Sequence, residues 1–286
     1  MNRPRSDRGV VAFLSLVALL GISAASVQQA ARAQGAKAGQ SPIFQVDPLW
    51  PKPLPNKWVI GSTIGLSVDS RDHVWVIPRP SPIEDNEKAG TLKNGDCCFV
   101  APQVIEFDPT GNVVSTFGGP GPGYEWPDSE HGIFVDHKDN VWVSGNGAKD
   151  SQLLKFSRQG KFLMQIGHKG QSKGSNDLEN VRMAANMEVD PATSELIVAD
   201  GYGNKRVAVF DADTGKYKRH WGAYGNKPDD TPLGPYDPAA KPAPQFRGPV
   251  HCASLAKDGL IYVCDRTGNR IQVFQKNGTF VKETFI

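Results

Sequence analysis

Short apolar runs recur along the chain in groups of four, each bounded by turn residues. The clearest group lies between His131 and Gly167: Ile133-Phe134-Val135, Val141-Trp142-Val143, Leu153-Leu154-Lys155-Phe156 and Phe162-Leu163-Met164-Gln165-Ile166, separated by Asp, Asn, Gly and Lys. Each run is too short for a stable helix and shows near period-2 patterning, so each predicts a strand, and the four together predict one antiparallel sheet. The group is written three more times. Leu66 to Val68, Val74 to Val76 and Val104 to Phe107 lead to Phe117-Gly118. Met187 to Val189, Leu196 to Ala199 and Val207 to Phe210 lead to Trp221-Gly222, and Leu260 to Val263 and Ile271 to Phe274 lead to Phe280. A unit of four strands in about 40 residues, with connections of variable length, predicts an all-β chain folded as a β-propeller. One such sheet cannot bury both faces alone, and neighbouring blades supply the cover. The blades fall near 61–118, 131–167, 184–222 and 250–286.

Composition agrees with this class. The 286 residues include 30 Gly and 22 Pro, which suits a turn-rich all-β protein. The formal net charge is +2 with Lys and Arg dispersed, so the single-sign patch that nucleic acid binding needs is missing and that partner is excluded.

Residues 1–33 read as a signal peptide. Arg3, Arg5 and Arg8 precede an apolar run from Val10 to Leu20, and Ala31-Arg32-Ala33 offers a small-residue cleavage site. The run is shorter than the roughly 20 residues that span a bilayer, which predicts cleavage and a secreted or periplasmic product. An uncleaved signal sequence is the one membrane association considered, and it leaves the propeller on the same side. The arginines are not adjacent, so a twin-arginine route is not indicated. Residues 34–60 read as a linker followed by an extended segment, because prolines at 48, 51, 53 and 55 exclude a central strand.

Four cysteines in an exported chain permit disulfides. Cys252 and Cys264 flank the Lys257-Asp258-Gly259 turn at equal distances and would face each other on adjacent strands, either bonded or as two buried thiols. Cys97 and Cys98 are vicinal on an insertion from Arg79 to Pro102. A bond between them needs a strained ring, which leaves a shared partner, a metal or free thiols open.

Two of six histidines occupy the same place in the repeat. His131 precedes Trp142 by eleven residues and His251 precedes Tyr262 by eleven, while the first and third blades have Ile64 and Ala185 there. Residues at the start of each innermost strand face the central channel, so these imidazoles converge on the axis. Either they hydrogen-bond to water, or with a third histidine they form a three-imidazole zinc site with an open position. His73, His137 and His168 read as surface side chains and His220 as structural.

The repeats look like the NHL type, and the order of motifs resembles the peptidyl-α-hydroxyglycine α-amidating lyase (peptidylamidoglycolate lyase) family, a six-bladed propeller. The resemblance runs from Ile64 to the C-terminus and rests on Glu130-His131-Gly132-Ile133 followed by Asp139-Asn140-Val141-Trp142-Val143, on Ala199-Asp200-Gly201-Tyr202-Gly203-Asn204-Lys205-Arg206, and on Val250-His251. It implies that four blades of six are present, a C-terminally incomplete propeller over 61–286. It implies zinc held by His131 and His251, with the third histidine outside this sequence, and Tyr202 as acid/base. It implies Arg79 as the holder of the substrate carboxylate and hydroxyl region, and a calcium ion bound in part by the backbone carbonyl of Ile133. The cysteine that follows the motif tyrosine in animal lyases is replaced here by Gly203. Read without the family, Arg79 is equally a rim arginine paired with Glu84 or Asp85, and Tyr202 a rim aromatic.

The functional expectation is therefore an exported, metal-dependent lyase-like propeller. It would cleave peptidyl-α-hydroxyglycine, or a related small-molecule or peptide substrate at the channel, to an amide and glyoxylate. The alternative is a non-catalytic NHL propeller that binds a protein, peptide or glycan partner on its loop face. A calcium-dependent lactonase-type hydrolase would need several carboxylate or amide ligands, and Asn146 and Asn186 do not make such a set.

Overall fold

A computed structural model describes residues 43–286, and the predicted signal peptide lies outside the described residues. The compact unit Leu49–Ile286 holds all the regular structure given below. Its strands, in chain order, are β1 Trp58–Val59, β2 Ser62–Val68, β3 Val74–Arg79, β4 Phe99–Val100, β5 Val104–Phe107, β6 Val113–Phe117, β7 Glu130–Val135, β8 Val141–Gly145 and β9 Leu153–Phe156. They continue with β10 Phe162–Ile166, β11 Asn186–Asp190, β12 Glu195–Asp200, β13 Arg206–Asp211, β14 Tyr217–Trp221, β15 Val250–Leu255, β16 Ile261–Asp265, β17 Arg270–Phe274 and β18 Phe280–Phe285. Four antiparallel sheets result, in the orders β2-β3-β5-β6, β7-β8-β9-β10, β11-β12-β13-β14 and β15-β16-β17-β18. The chain is a β-propeller with four described blades. Among the described residues, no helix is long and apolar enough to cross a membrane.

The core lies between blades, which is why middle strands such as β5, β8, β9 and β12 are buried along their whole length, on both faces. Trp75, Ile77 and Val104 of blade one pack against Ile133, Val141, Leu154 and Phe156 of blade two. Trp142 and Leu153 meet Met187, Leu196 and Phe210, and Ile197, Val207 and Trp221 meet Val250, Ile261 and Phe274. The outward face of blade one has its own cover: Trp50, Leu54 and Trp58 pack on Val76, Ala101, Ile105 and Phe107, and the Lys52 N–H donates to the Gly111 carbonyl at 2.9 Å.

In blades one to three the turn after the innermost strand is built by an aspartate, Asp69, Asp136 or Asp190. Asp69 accepts the N–H groups of Arg71 and His73 and the Trp75 indole, and Asp136 accepts those of Lys138 and Asn140 and the Trp142 indole. A short polar side chain closes the turn on its own backbone while the indole ties it to the next strand. Each joint between blades also carries an ion pair. Arg158 of blade two reaches Asp69 at 2.6 Å and also pairs with Glu106 of blade one, Lys138 reaches Asp213 at 2.7 Å, and Lys276 reaches Asp190 at 2.5 Å. His73 is not the surface residue its turn position suggests. Its Nδ1 lies 2.6 Å from the Glu106 carboxylate, because the turn folds it back toward β5.

These carboxylates make stability depend on acid. Burial raises the Asp69 carboxyl, but the Trp75 indole, Arg158 and two backbone N–H groups outweigh it and hold it at about 2. Arg219, with Lys218, holds Glu195 at about 2 against burial. A carboxylate whose folded value lies below its unfolded value stabilises the fold above the unfolded value, and that contribution is lost as pH falls through the folded one. The melting temperature is therefore expected to stay level above roughly pH 5 and to fall as pH drops toward 2, less steeply in Glu195→Gln. Circular-dichroism melts across this range check it, and identical slopes for the two proteins would refute the assignment.

Two disulfides are present, Cys97–Cys98 and Cys252–Cys264, and no cysteine is free. Cys252 and Cys264 face each other in register on β15 and β16 with Cα atoms 5.0 Å apart. Cys97 and Cys98 are bonded to one another across a cis peptide, which removes the shared-partner, metal and free-thiol alternatives for that pair.

Candidate functional site at the channel mouth

The innermost strands β2, β7, β11 and β15 follow one another around the channel. The Val135 N–H donates to Ser67 Oγ at 3.0 Å, and a Cβ on Gly132 would meet Ser144 Oγ at 2.5 Å and the Ala185 carbonyl at 3.0 Å. Only glycine permits blades two and three to approach this closely at the level of His131.

Both histidines sit at bulges. The β7–β8 register shifts between Glu130 and Ile133, and the β15–β16 register shifts between Val250 and Cys252. A bulge inserts a residue and re-aims its side chain, so His131 and His251 leave the alternation of their strands and turn toward the channel. Tyr202 joins them from the turn after β12. A Cβ on Gly201 would lie 2.2 Å from the backbone nitrogen of Val250, so glycine there lets the tyrosine turn rest directly on the residue before His251.

The three rings meet at one oxygen. His131 Nε2 and His251 Nε2 each lie 3.1 Å from Tyr202 Oη, and the two imidazole centroids are 5.5 Å apart. His131 Nδ1 is 2.8 Å from the Ala185 carbonyl. That acceptor requires a proton on Nδ1 and leaves Nε2 unprotonated, the arrangement that orients a metal-ligating histidine. Burial, more than the neighbouring cations, pushes both imidazoles below the usual histidine range. Neutral rings directed at a common point fit the donor set of a zinc site, with His131 and His251 as the residues that would hold the ion.

Two arginines surround these rings. Arg266 Nη1 is 3.4 Å from Tyr202 Oη with its guanidinium 5.4 Å from the ring centroid. Arg79, at the end of β3, does not pair with Glu84 or Asp85. It donates to the Glu130 carbonyl at 2.6 Å and to Asn146 Oδ1 at 2.9 Å, and its buried Nε has no hydrogen-bond partner among the described residues. β3 packs beside β7, which places the Arg79 guanidinium against the Glu130 carbonyl and Asn146. Asn146, itself held by Ser129 Oγ at 2.9 Å, thus serves to fix Arg79. Ile133 borders the channel cavity while its side chain enters the core between blades one and two. One close group of three His, Asp or Glu donors occurs among the described residues, Asp69, His73 and Glu106. It stands at the other end of the innermost strands, with Arg158 as its cation.

Arg266 is legible in the sequence as the blade-four counterpart of Arg79, but nothing there gives it a role at the site. A feature not anticipated is a pair of buried ion pairs, Asp200–Arg206 at 2.8 Å and Asp265–Arg270 at 2.9 Å, which support the turns bearing Tyr202 and Arg266. Aspartate at the end of a blade's second strand and arginine at the start of its third, repeated in blades three and four, was the available signal.

Comparison with known proteins follows this geometry. The chain is 24% identical over 263 residues to a peptidyl-glycine alpha-amidating monooxygenase B of Xenopus laevis, covering 90% of this chain and 28% of that protein. It is 24% identical over 230 residues to the peptidylglycine alpha-amidating monooxygenase of Rattus norvegicus, covering 78% and 22%. It is 25% identical over 249 residues to NHL repeat-containing protein 3 of Mus musculus, covering 83% and 58%. The chain is a β-propeller whose sequence is similar to these amidating enzymes and to an NHL repeat-containing protein. No protein-family model matches it. Among solved structures, a virginiamycin B lyase from Staphylococcus aureus superposes with a TM-score of 0.47 at 13% identity, covering 82% of this chain and 58% of that one. A gluconolactonase from Xanthomonas campestris gives 0.45 at 12% identity, covering 77% and 60%. The propeller spans 28% of the length of the frog amidating enzyme, a fraction of the whole.

Proposed function

We propose that this propeller is an exported, zinc-dependent carbon–nitrogen lyase that cleaves a peptidyl-α-hydroxyglycine to a peptide amide and glyoxylate. The observation that carries the reading is the convergence of two neutral imidazole Nε2 atoms on the Tyr202 hydroxyl, 3.1 Å from each. Both disulfides suit the oxidising compartment that export implies. A bound zinc ion would supply Lewis-acid polarisation of the substrate hydroxyl. His131 and His251 would be its ligands from this chain. Acting as its phenolate, Tyr202 takes the hydroxyl proton, the freed electron pair closes the aldehyde C=O as the C–N bond breaks, and the same proton passes from Tyr202 to the departing amide nitrogen. Arg266 offers the tyrosine oxygen a cationic donor during that transfer. The substrate carries a carboxylate on the carbon that becomes glyoxylate, and Arg79 and Arg266 make the mouth electropositive on the side where it would lie. Calcium, with the Ile133 carbonyl as one ligand, belongs to the same reading as a structural ion of the channel.

Metal analysis tests it. The purified full-length protein is expected to retain stoichiometric zinc, and the His131→Ala/His251→Ala variant to lose it while keeping its circular-dichroism spectrum. Wild-type protein that takes up no zinc would overturn the reading in favour of a propeller that binds a partner on its loop face.

A further inference from the structure

Asp150, in the connection between β8 and β9, is 1% exposed and takes no direct part in the cluster of rings. Its carboxylate accepts three backbone N–H groups, from Asp128 at 2.8 Å, Ser129 at 3.1 Å and Gly147 at 2.7 Å. Among the described residues no lysine, arginine or histidine pairs with it. Burying a carboxylate without a counter-charge is costly, so its bonds must secure something the fold needs held.

Blades three and four place their buried carboxylate differently. There an aspartate ends the second strand and accepts backbone N–H groups from the segment entering the innermost strand. Asp200 takes that of Arg182 at 2.8 Å, and Asp265 takes those of Arg247 at 3.0 Å and Gly248 at 2.9 Å. An arginine of the third strand neutralises each, Arg206 or Arg270. Blade two ends its second strand with Gly145 instead. A Cβ on Gly145 would lie 2.3 Å from Asp150 Oδ2, and one on Gly147 2.7 Å from it. The Asp150 carboxylate therefore enters from later in the chain and fills space that two glycines leave open.

The residues it grips are those that hold Arg79. The Asn146 N–H donates to the Ser129 carbonyl at 2.8 Å and Ser129 Oγ donates to Asn146 Oδ1 at 2.9 Å, so the turn at Asn146 and the segment before β7 form one unit. That unit offers the Glu130 carbonyl and Asn146 Oδ1 to Arg79, and both bonds use Nη2. The direction of the guanidinium is thus set by two acceptors that Asp150 fixes in place. The main chain of Asp150 reaches the other side of the site. Its carbonyl accepts the Met183 N–H at 2.7 Å, and the Met183 carbonyl accepts the Tyr202 N–H at 3.2 Å.

Resting on the lyase reading, we infer that Asp150 is a positioning residue, which aims Arg79 at the substrate carboxylate and sets its place relative to Tyr202.

A double-mutant cycle on peptidyl-α-hydroxyglycine tests this, with zinc content and circular dichroism measured on each preparation. Asp150→Ala is expected to lower kcat/KM by about 10- to 100-fold, the span for losing a group that orients a site residue. The loss should fall chiefly on KM, because the carboxylate is bound in ground and transition state alike. Asp150→Asn keeps one acceptor oxygen and should lose less. In an Arg79→Ala background Asp150→Ala should cost no more than about twofold, since the group it aims is gone. Losses that multiply in the double variant, or Asp150→Ala within about twofold of wild type, overturn the inference. If Asp150→Ala does not fold, Asp150→Asn is carried through the same cycle and judged in the same way. Should the wild type release no glyoxylate, the lyase reading fails and the orientation of Arg79 is read directly by nuclear magnetic resonance on protein with isotope-labelled arginine. The Arg79 Nε–H signal, assigned by its loss in Arg79→Ala, is expected to exchange slowly with solvent, as its burial requires. In Asp150→Asn it should exchange about tenfold faster, the mark of a locally loosened segment. Equal exchange in the two proteins overturns the positioning role.

Discussion

Tyr202→Phe is expected to lower glyoxylate release from a peptidyl-α-hydroxyglycine by about 10²–10⁴-fold in kcat, the span typical of losing a positioned proton-transfer group. The change removes one oxygen and keeps the ring, so the contacts of the tyrosine ring with blade four remain. His131 keeps its bond to the Ala185 carbonyl, and zinc content is expected to match that of the wild type. The split between lost turnover and retained metal separates an acid/base role from a structural one. Steady-state kinetics with metal analysis on the same preparation measure it. Turnover within about threefold of wild type would show that the oxygen between the two imidazoles is not the group that moves the proton.

The second large effect concerns stability. Arg206 is completely buried, with its Nε on Asp200 at 2.8 Å and its remaining nitrogens on the carbonyls of Ser175, Asp177 and Asn180. Asp200 is equally buried and accepts the Arg182 N–H and the Asn204 amide, each at 2.8 Å. Removing one member leaves a charge without its counter-charge, which costs about 3–5 kcal/mol. For a domain of this size that lowers the melting temperature by on the order of 10 °C. Asp200→Ala should show the full loss and Arg206→Met a comparable one. The double variant should lose much less than the two singles combined, because the second removal leaves no unpaired charge behind. Thermal melts of the three variants check this, and singles within about 2 °C of wild type would mean that water reaches the pair. Because Asp200 begins the turn that carries Tyr202, the same variants report on how rigidly the site is held.

The sheets were legible because the pattern that specifies a strand is local. Ile133, Val135, Val141 and Val143 declare their faces through neighbours two residues away, and Asp136 and Asn140 declare the turn between them. His131 and His251 were legible for a related reason, since a repeat places equivalent positions at equivalent sites and only these two departed from apolar or small residues. What the sequence hid depends on distance along the chain. Arg158 meets Asp69 across 89 positions, and Arg79 meets Asn146 across 67, so Arg79 was weighed against acids five and six residues away. Arg206 and Arg270 were hidden differently, because charge in a one-dimensional pattern reads as exposure, whereas here aspartate and backbone carbonyls enclose it. The vicinal pair Cys97–Cys98 left several chemistries open that only coordinates could separate.

His131 belongs to blade two, yet the atom that fixes its proton is a blade-three carbonyl, and that residue is in turn held by its own N–H on Ala199 at 2.8 Å. The tautomer of one blade's donor is therefore written by its neighbour. A small slip between these two sheets, too slight to alter their secondary structure, would free the ring to turn over and present the wrong nitrogen. Under the zinc reading proposed above, metal affinity would therefore gauge how faithfully adjacent sheets are seated.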